Sequence, residues 1–530
     1  MFRQEKRFGF ARVGFIEIEG KKHRIPMLID FTEKSKIVDM IDFGKSPTVL
    51  KEIDEYRFKI LRSRDENFII ATGLSTLNPK KLVEYIYELR KSSYKLLYTV
   101  ALAKPSNIPL LYYMGVDVMD NILAIVKAYE GVYMTEFEER DVDKIKDVNC
   151  KCKSCQESDF SEEGLAEHNT FIMKKVLNMV VREDLRNFVE AWVKFDPNLT
   201  AMLRFFDKIN NEFYPRFSRA KVVMTTDHSF NRYEIKYFLK RASDCYNPKG
   251  KALLLLPCSA RKPYLKSKTH RIIRSFVGNV SKKGVEEIII SSPLVVPRVF
   301  ELTYPASNYD VAVSGDWSLD EIEFVSDWLC KFIEKGNFEV IVGHLVGGYR
   351  KVVERACDKL GFDVIWTAEN DVTDIDSLRK LKDVIDKINF EGFDLYKSIF
   401  EHMAIYQFDT IFYIEKIRGK YPNLEFYVGK DRVARVDMNY GCLDIDLPLA
   451  NILIEKKKYF VEIDDFIPKG TIFAVGVKRA DKCIRPNDTV AFYNSKIFGV
   501  GRALMCGEEM LKNDGKAIEV KAVQEFHQSS

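Results

Sequence analysis

The stretch Ala252-Leu-Leu-Leu-Leu-Pro257-Cys258-Ser-Ala-Arg-Lys-Pro-Tyr-Leu-Lys-Ser-Lys-Thr-His270 decides how the chain is read. Its opening apolar run has no polar alternation, which suits a strand buried on both faces within a parallel sheet. Pro257-Cys258 ends that strand, because proline cannot donate to a ladder. A polar and basic loop follows, and Ser267 or Thr269 can then cap a helix running through Ile272 and Phe276. In an open α/β sheet, the carboxyl end of such a strand is the default ligand site. The helix start adds N–H groups that favour an anionic or electron-rich ligand.

Working outward, Glu287–Ile290, Val311–Val313, Glu339–Val342 and Asp363–Trp366 read as further strands. Helical stretches at Asp320–Lys335 and Tyr349–Leu360 alternate with them. This predicts a doubly wound α/β core domain over 223–388. Residues 1–222 alternate short strands (Ile69–Thr72, Leu96–Ala103, Val132–Thr135) with amphipathic helices (Lys81–Arg90, Leu185–Phe195). Residues 389–456 read as a small α+β linking domain with turns at Gly441 and Pro448. Residues 457–530 are strand-rich, with turns at Pro468-Lys-Gly470 and Arg485-Pro-Asn-Asp488, and predict a small β-barrel. A chain of 530 residues exceeds one hydrophobic core, which agrees with this multidomain α/β reading.

The net charge of +4 permits local nucleic-acid-binding patches without arguing for them. No apolar run approaches the roughly 18 residues that span a bilayer, and Met1–Glu19 has no signal-like core. A cytoplasmic protein with no membrane partner is expected. Ten cysteines suit a reducing compartment. Three of them, Cys150, Cys152 and Cys155, are followed after twelve residues by His168. Three thiolates and one imidazole fill a tetrahedron, so structural zinc with no open catalytic position is predicted.

Each residue type in the 258–270 loop has a chemical use. Cys258 can serve as a nucleophile when nearby cations favour its thiolate, and Arg261 and Lys262 supply positive charge. His270 is the natural proton shuttle, since an imidazole ordinarily titrates near neutrality. Tyr264 offers a stacking face and a hydroxyl, while Ser259 and Ser267 offer hydroxyls for substrate binding.

Pro257-Cys258-x3-Lys262-Pro-Tyr264-x2-Ser267-x2-His270 resembles the signature of the archaeosine synthase family at every defining position. Ser291-Ser-Pro-Leu-Val-Val-Pro-Arg298, Tyr304-Pro-Ala306, Tyr309-Asp310 and Gly315-Asp316-Trp317 are also similar to that family's core domain. The resemblance implies an enzyme acting on tRNA that already carries 7-cyano-7-deazaguanine at position 15. Such enzymes add an amine, with free lysine as the implied donor, across the nitrile to give an amidine. A partner radical enzyme then releases archaeosine from the lysine adduct, and a homodimer is implied as well. Two routes suit the residues. In one, Cys258 forms a thioimidate that the amine displaces. In the other, the amine adds directly while Lys262 or His270 polarises the nitrile. Asp310, Asp316 or Glu301 would bind the donor's ammonium groups and Arg298 its carboxylate.

Two further resemblances flank the core. The cysteine cluster with Leu165-Ala-Glu-His-Asn169, and the run Val100–Asp120, look like the zinc site and nucleophile strand of tRNA-guanine transglycosylases. That implies a β/α barrel with Asp120 at the nucleophile position. The family's Asp-Ser-Gly-Gly-Phe segment is absent, however, so a degenerate barrel with a vestigial nucleophile is expected. The alternatives are true base exchange through Asp120 and a non-catalytic tRNA-binding protein. The carboxyl-terminal strands resemble a PUA domain, which implies RNA binding through Lys478, Arg479, Arg485 and Arg502.

Overall fold

A computed structural model of the chain describes residues 2–18, 20–32, 48–50, 68–145, 149–209, 213–312 and 316–526. Its core sheet contains β1 (Ala252–Pro257), β2 (Val285–Ile290), β3 (Val295–Pro297), β4 (Val340–Gly343) and β5 (Ile365–Trp366), in the order β3-β2-β1-β4-β5. Central β1 runs parallel to β2 and β4, with Leu254 opposite Glu287 and Val342. β5 is parallel to β4, and β3 is antiparallel to β2.

The apolar run of β1 is explained by what covers it. Leu253 and Leu255 enter one core with Val325, Leu329 and Val352, from α2 (Leu319–Ile333) and α3 (Gly347–Leu360). Ala252, Leu254 and Leu256 face the other way, against Ile273 of α1 (Lys268–Val277) and Leu378 and Leu381 of α4 (Ile375–Lys387). Each of these fully buried leucines contributes about 1.5–3 kcal/mol. The sheet is doubly wound. From β1 the chain passes through α1 to β2 on one side, whereas from β4 it passes through α3 to β5 on the other. The two connections diverge between β1 and β4, the crevice position where such sheets bind ligands.

One expected core strand lies elsewhere. Tyr309–Val311 pairs in parallel with Val222–Met224 as a separate two-stranded sheet, while Val313 falls outside the described residues.

In the amino-terminal region, Met27–Ile29, Val118–Asp120, Leu96–Thr99 and Phe68–Thr72 are successive parallel neighbours, and Thr48–Leu50 joins antiparallel at the edge. No pairing among the described residues closes this path into a barrel. Val132–Met134 forms a separate hairpin with Glu139–Asp141. Phe2–Phe8, Ala11–Ile18 and Lys21–Ile25 belong to another sheet altogether. Arg3 pairs in parallel with Asp514 of the last strand, Asp514–Glu525, and a buried Arg7–Glu509 ion pair of 2.8 Å fixes the junction. The first strand therefore pairs with a partner some 500 residues along the chain, while Phe10 and Ala11 pack into the amino-terminal core with Leu97 and Phe206.

Residues 416–445 form a four-stranded antiparallel sheet flanked by helices Leu395–Phe408 and Leu447–Glu455. The carboxyl-terminal strands Phe460–Ile463, Val477–Ala480, Thr489–Tyr493 and Ile497–Ala503 continue into the sheet shared with the amino terminus. No helix among the described residues is long and apolar enough to cross a membrane.

Candidate active site and metal cluster

Cys258 leaves β1 at the divergence point, its N–H donating to the Ile290 carbonyl at 2.9 Å. Its half-buried thiol lies 3.2 Å from the Tyr349 hydroxyl, at the start of α3. Trp317 packs edge-on against Tyr349, with ring centres 5.1 Å apart. Gly348 permits this, since a Cβ there would stand 2.3 Å from the indole. Burial, then proximity to Cys258, pushes the Tyr349 phenol far above its ordinary pKa, so it stays protonated. A pocket in front of Cys258 is lined by Thr225, Thr226, Asp227, Ser292, Asp316, Trp317, Glu321 and Tyr349. Asp316 is therefore part of the pocket lining. Tyr349, Asp227 and Glu321 were not anticipated, although Gly347-Gly348-Tyr349 lies in the turn from the predicted strand Glu339–Val342 to its helix.

Lys262 stands beside this pocket, its ammonium 4.0 Å from the centre of the Tyr309 ring. Burial lowers its pKa, and the nearby Cys258 and Asp310 oppose that only in part. Arg261 is exposed, and Ser259 closes the turn by donating to the Arg261 carbonyl at 3.2 Å. Ser267 is the helix cap, accepting from the His270 N–H at 3.2 Å.

Five expectations for the core domain need correction. His270 is buried, and Arg298, which can only donate, lies 3.0 Å from its Nδ1. Nε2 must then carry the proton, which it donates to the Pro257 carbonyl at 2.9 Å. Burial and Arg298 lower the imidazole pKa to about 3. It is a neutral strut beneath the loop, not a proton shuttle. Arg298 is spent on Glu287 (2.8 Å) and Glu301 (2.8 Å), both buried, so it cannot receive a donor carboxylate. Glu301 in turn accepts from the Tyr264 N–H at 3.0 Å and from the Tyr421 hydroxyl, and is closed to ammonium groups. Tyr264 is itself fully buried and shares its hydroxyl with Tyr309, which donates to Ser291. Asp310 faces Lys221 at 2.7 Å and is not part of the pocket lining.

The ligand atoms of Cys150, Cys152, Cys155 and His168 lie within 4.8 Å of one another and could hold a metal ion. The Cys152 and Cys155 sulfurs are each 3.3 Å from His168 Nδ1. The other ring nitrogen points to the Met134 carbonyl at 2.9 Å, the usual way a ligating imidazole is oriented. The Cys155 N–H also approaches the Cys152 sulfur at 3.4 Å. All four positions are protein groups, as a closed site requires.

Asp120 does end a parallel strand, but it is fully buried. It accepts from the Tyr98 hydroxyl (2.7 Å) and from the N–H groups of Ala101 (3.0 Å) and Ile122 (3.0 Å). Ala101 has φ 51°, an unusual value for a non-glycine residue, and Asp120 holds it there. This carboxylate organises a loop and presents no open nucleophile.

In the carboxyl-terminal module, Lys478 and Arg479 are exposed on the edge strand, near Asp464 (3.4 Å) and Glu462 (3.7 Å). Arg485 is half-buried. Arg502 is corrected, because it bonds Asp437 at 2.9 Å, stacks on Tyr440 at 3.8 Å and so ties this module to the preceding one.

Three stretches of the chain match known domain families. Residues 235–385 match a domain of unknown function, DUF5591, residues 393–454 match a pre-PUA domain, and residues 461–524 match a PUA domain. The archaeosine synthase subunit alpha of Methanosarcina acetivorans is 34% identical across 87% of this chain and 80% of its own length. The archaeosine synthase of Haloferax volcanii is 33% identical across 80% of this chain and 76% of its own. A tRNA-guanine(15) transglycosylase of Methanococcus vannielii is more distant, at 21% across 95% of this chain and 74% of its own. On the first two of these, the chain belongs to the archaeosine synthase family.

Proposed function

We propose that this protein is the tRNA-modifying enzyme of archaeosine biosynthesis that adds an amine, free lysine, to the nitrile of 7-cyano-7-deazaguanine at position 15. The observation that carries this reading is the Cys258 thiol, open to a pocket at the divergence of the sheet and hydrogen-bonded to Tyr349. The S–H of Cys258 adds across the nitrile, carbon to sulfur and proton to nitrogen, giving a thioimidate. Tyr349 relays that proton, and the Lys262 ammonium stabilises the charge developing on nitrogen. The amine then displaces sulfur, returns a proton to it and leaves the amidine. Asp227, Asp316 and Glu321 line the same pocket and suit the ammonium groups of lysine. The target base must leave the tRNA stack to enter.

The PUA module, with Lys478, Arg479 and Arg485, supports tRNA binding, and the lysine adduct is the substrate left for a partner radical enzyme. The Cys3His cluster is a structural zinc site in a reduced transglycosylase-like β/α unit, whose role is support rather than base exchange; metal analysis should return one zinc per chain. The working units are 1–222, 223–388, 389–456 and 457–530, in a cytoplasmic protein. Incubation with the nitrile-bearing tRNA and lysine, followed by mass spectrometry of the nucleosides, should show the lysine-adduct mass. Its absence refutes the reading. Exchange of free base into unmodified tRNA would instead favour a transglycosylase.

A further inference from the structure

We propose that a second cavity, where the amino-terminal, core, linking and PUA units meet, receives a guanine-type base of the bound RNA. This rests on tRNA being the substrate. The cavity encloses about 270 Å³ and is lined by residues of all four units. Five buried polar atoms with no hydrogen-bond partner belong to its lining residues: Nε of Arg7, Arg186 and Arg232, Oε2 of Glu234 and the Tyr214 hydroxyl. Protein interiors leave few such groups, and a cluster of them around one cavity calls for a polar occupant.

Charge decides what kind. Each guanidinium already faces a carboxylate: Arg7 with Glu509 at 2.8 Å, Arg186 with Asp207 at 2.7 Å, and Arg232 with Glu234 at 3.1 Å. With the charges balanced, a free anion gains little. A neutral group carrying both acceptors and donors on its edge fits better. Guanine offers O6 and N7 to N–H donors, and its N1–H and amino group to a carboxylate. Tyr113, Tyr214 and Tyr304 add aromatic rings to the lining, the kind of surface on which a base stacks. At the rim, exposed Arg219 sits 4.8 Å over Tyr440 and can meet a phosphate of the attached chain.

The cavity and the reactive site lie on two sides of the Val222–Met224 and Tyr309–Val311 strand pair. Lys221 lines the cavity and pairs with Asp310 at 2.7 Å. The adjoining strands Val222–Met224 and Tyr309–Val311 supply Met224 and Val311 to the Cys258 pocket. Two nucleotides of one RNA can thus be held on either side of one wall.

The test titrates the full chain with guanosine by calorimetry, alone and in the presence of unmodified tRNA. Wild type should bind guanosine, and Glu234→Gln should weaken binding about tenfold. Arg232 keeps Asn187 at 2.8 Å in that variant, and the unfolding temperature checks its fold. Arg219→Ala, on the exposed rim, should leave guanosine binding intact but lower tRNA affinity and its salt slope by about one phosphate contact. Competition between tRNA and guanosine shows that the base comes from tRNA. Simultaneous binding overturns that source. Failure of wild type to bind guanosine, equal binding by a folded Glu234→Gln, or unchanged tRNA affinity in Arg219→Ala overturns the proposal. Lysine-adduct formation by wild type, measured in parallel, reports on the enzymatic reading separately.

Discussion

Asp120 and Cys258 occupy equivalent places in two parallel sheets, each at the carboxyl end of a strand where the chain turns toward a helix. Their surroundings differ. The Asp120 oxygens accept one hydroxyl and two main-chain N–H groups, and no part of the side chain is exposed. The Cys258 sulfur has one hydrogen-bond partner among the described residues, Tyr349, and opens to a pocket. A strand end is a ligand site only while its side chains keep bonding capacity for something outside the protein. The domain that resembles a transglycosylase has turned that capacity inward, and the core domain has kept it.

The sharpest way to break this comparison is at sulfur. Cys258→Ala should lower lysine-adduct formation at least ~10³-fold, because the nucleophile is gone. Substantial residual activity would move the mechanism to direct amine addition. Tyr349→Phe should follow with a loss of ~10²-fold in kcat and a changed pH profile, since the proton relay is removed while ring packing on Trp317 stays. An equal loss at every pH would reduce Tyr349 to a packing residue. Asp120→Asn should do the reverse. One amide N–H now faces donors, so stability should fall by ~1–3 kcal/mol in urea titrations while the rate of the folded enzyme stays within a few-fold. A folded Asp120→Asn protein with no turnover would show that the two strand ends share one reaction.

The sequence made some of this legible because the relevant physics is local. The Leu253–Leu256 run announced a doubly covered strand, and the Cys150–His168 spacing announced a ligand set. What it could not show depends on partners distant along the chain. The hairpin at Phe2–Ile18 gives no sign that it pairs with Asp514–Glu525. The three-residue β3 is too short for periodicity to register. His270 and Arg298 looked reactive because both are polar and near Cys258 in sequence or motif. Only the fold reveals that Glu287 and Glu301 consume the arginine, and that the arginine then fixes the imidazole. Tyr349, some ninety residues past Cys258, reaches it only through the strand order.

The smallest expected effect tests the His270 strut. Its folded-state pKa of about 3 lies below the unfolded value near 6.5. Between those values the unfolded chain binds a proton that the native protein refuses, so acidification favours unfolding. Stability should therefore be complete above about pH 6.5 and decline on acidification by at most ~1.4 kcal/mol per pH unit from this group. Urea midpoints of wild type and His270→Gln, compared at pH 7 and pH 5, isolate the contribution. The variant should lose less between the two, since glutamine has no proton to take up. The rate profile supplies the opposing outcome. A neutral imidazole locked between Pro257 and Arg298 can contribute no limb near pH 6.5 to adduct formation. If wild type shows such a limb and His270→Gln abolishes it, then the strut opens during turnover and His270 joins Cys258 on the reactive side of the strand end.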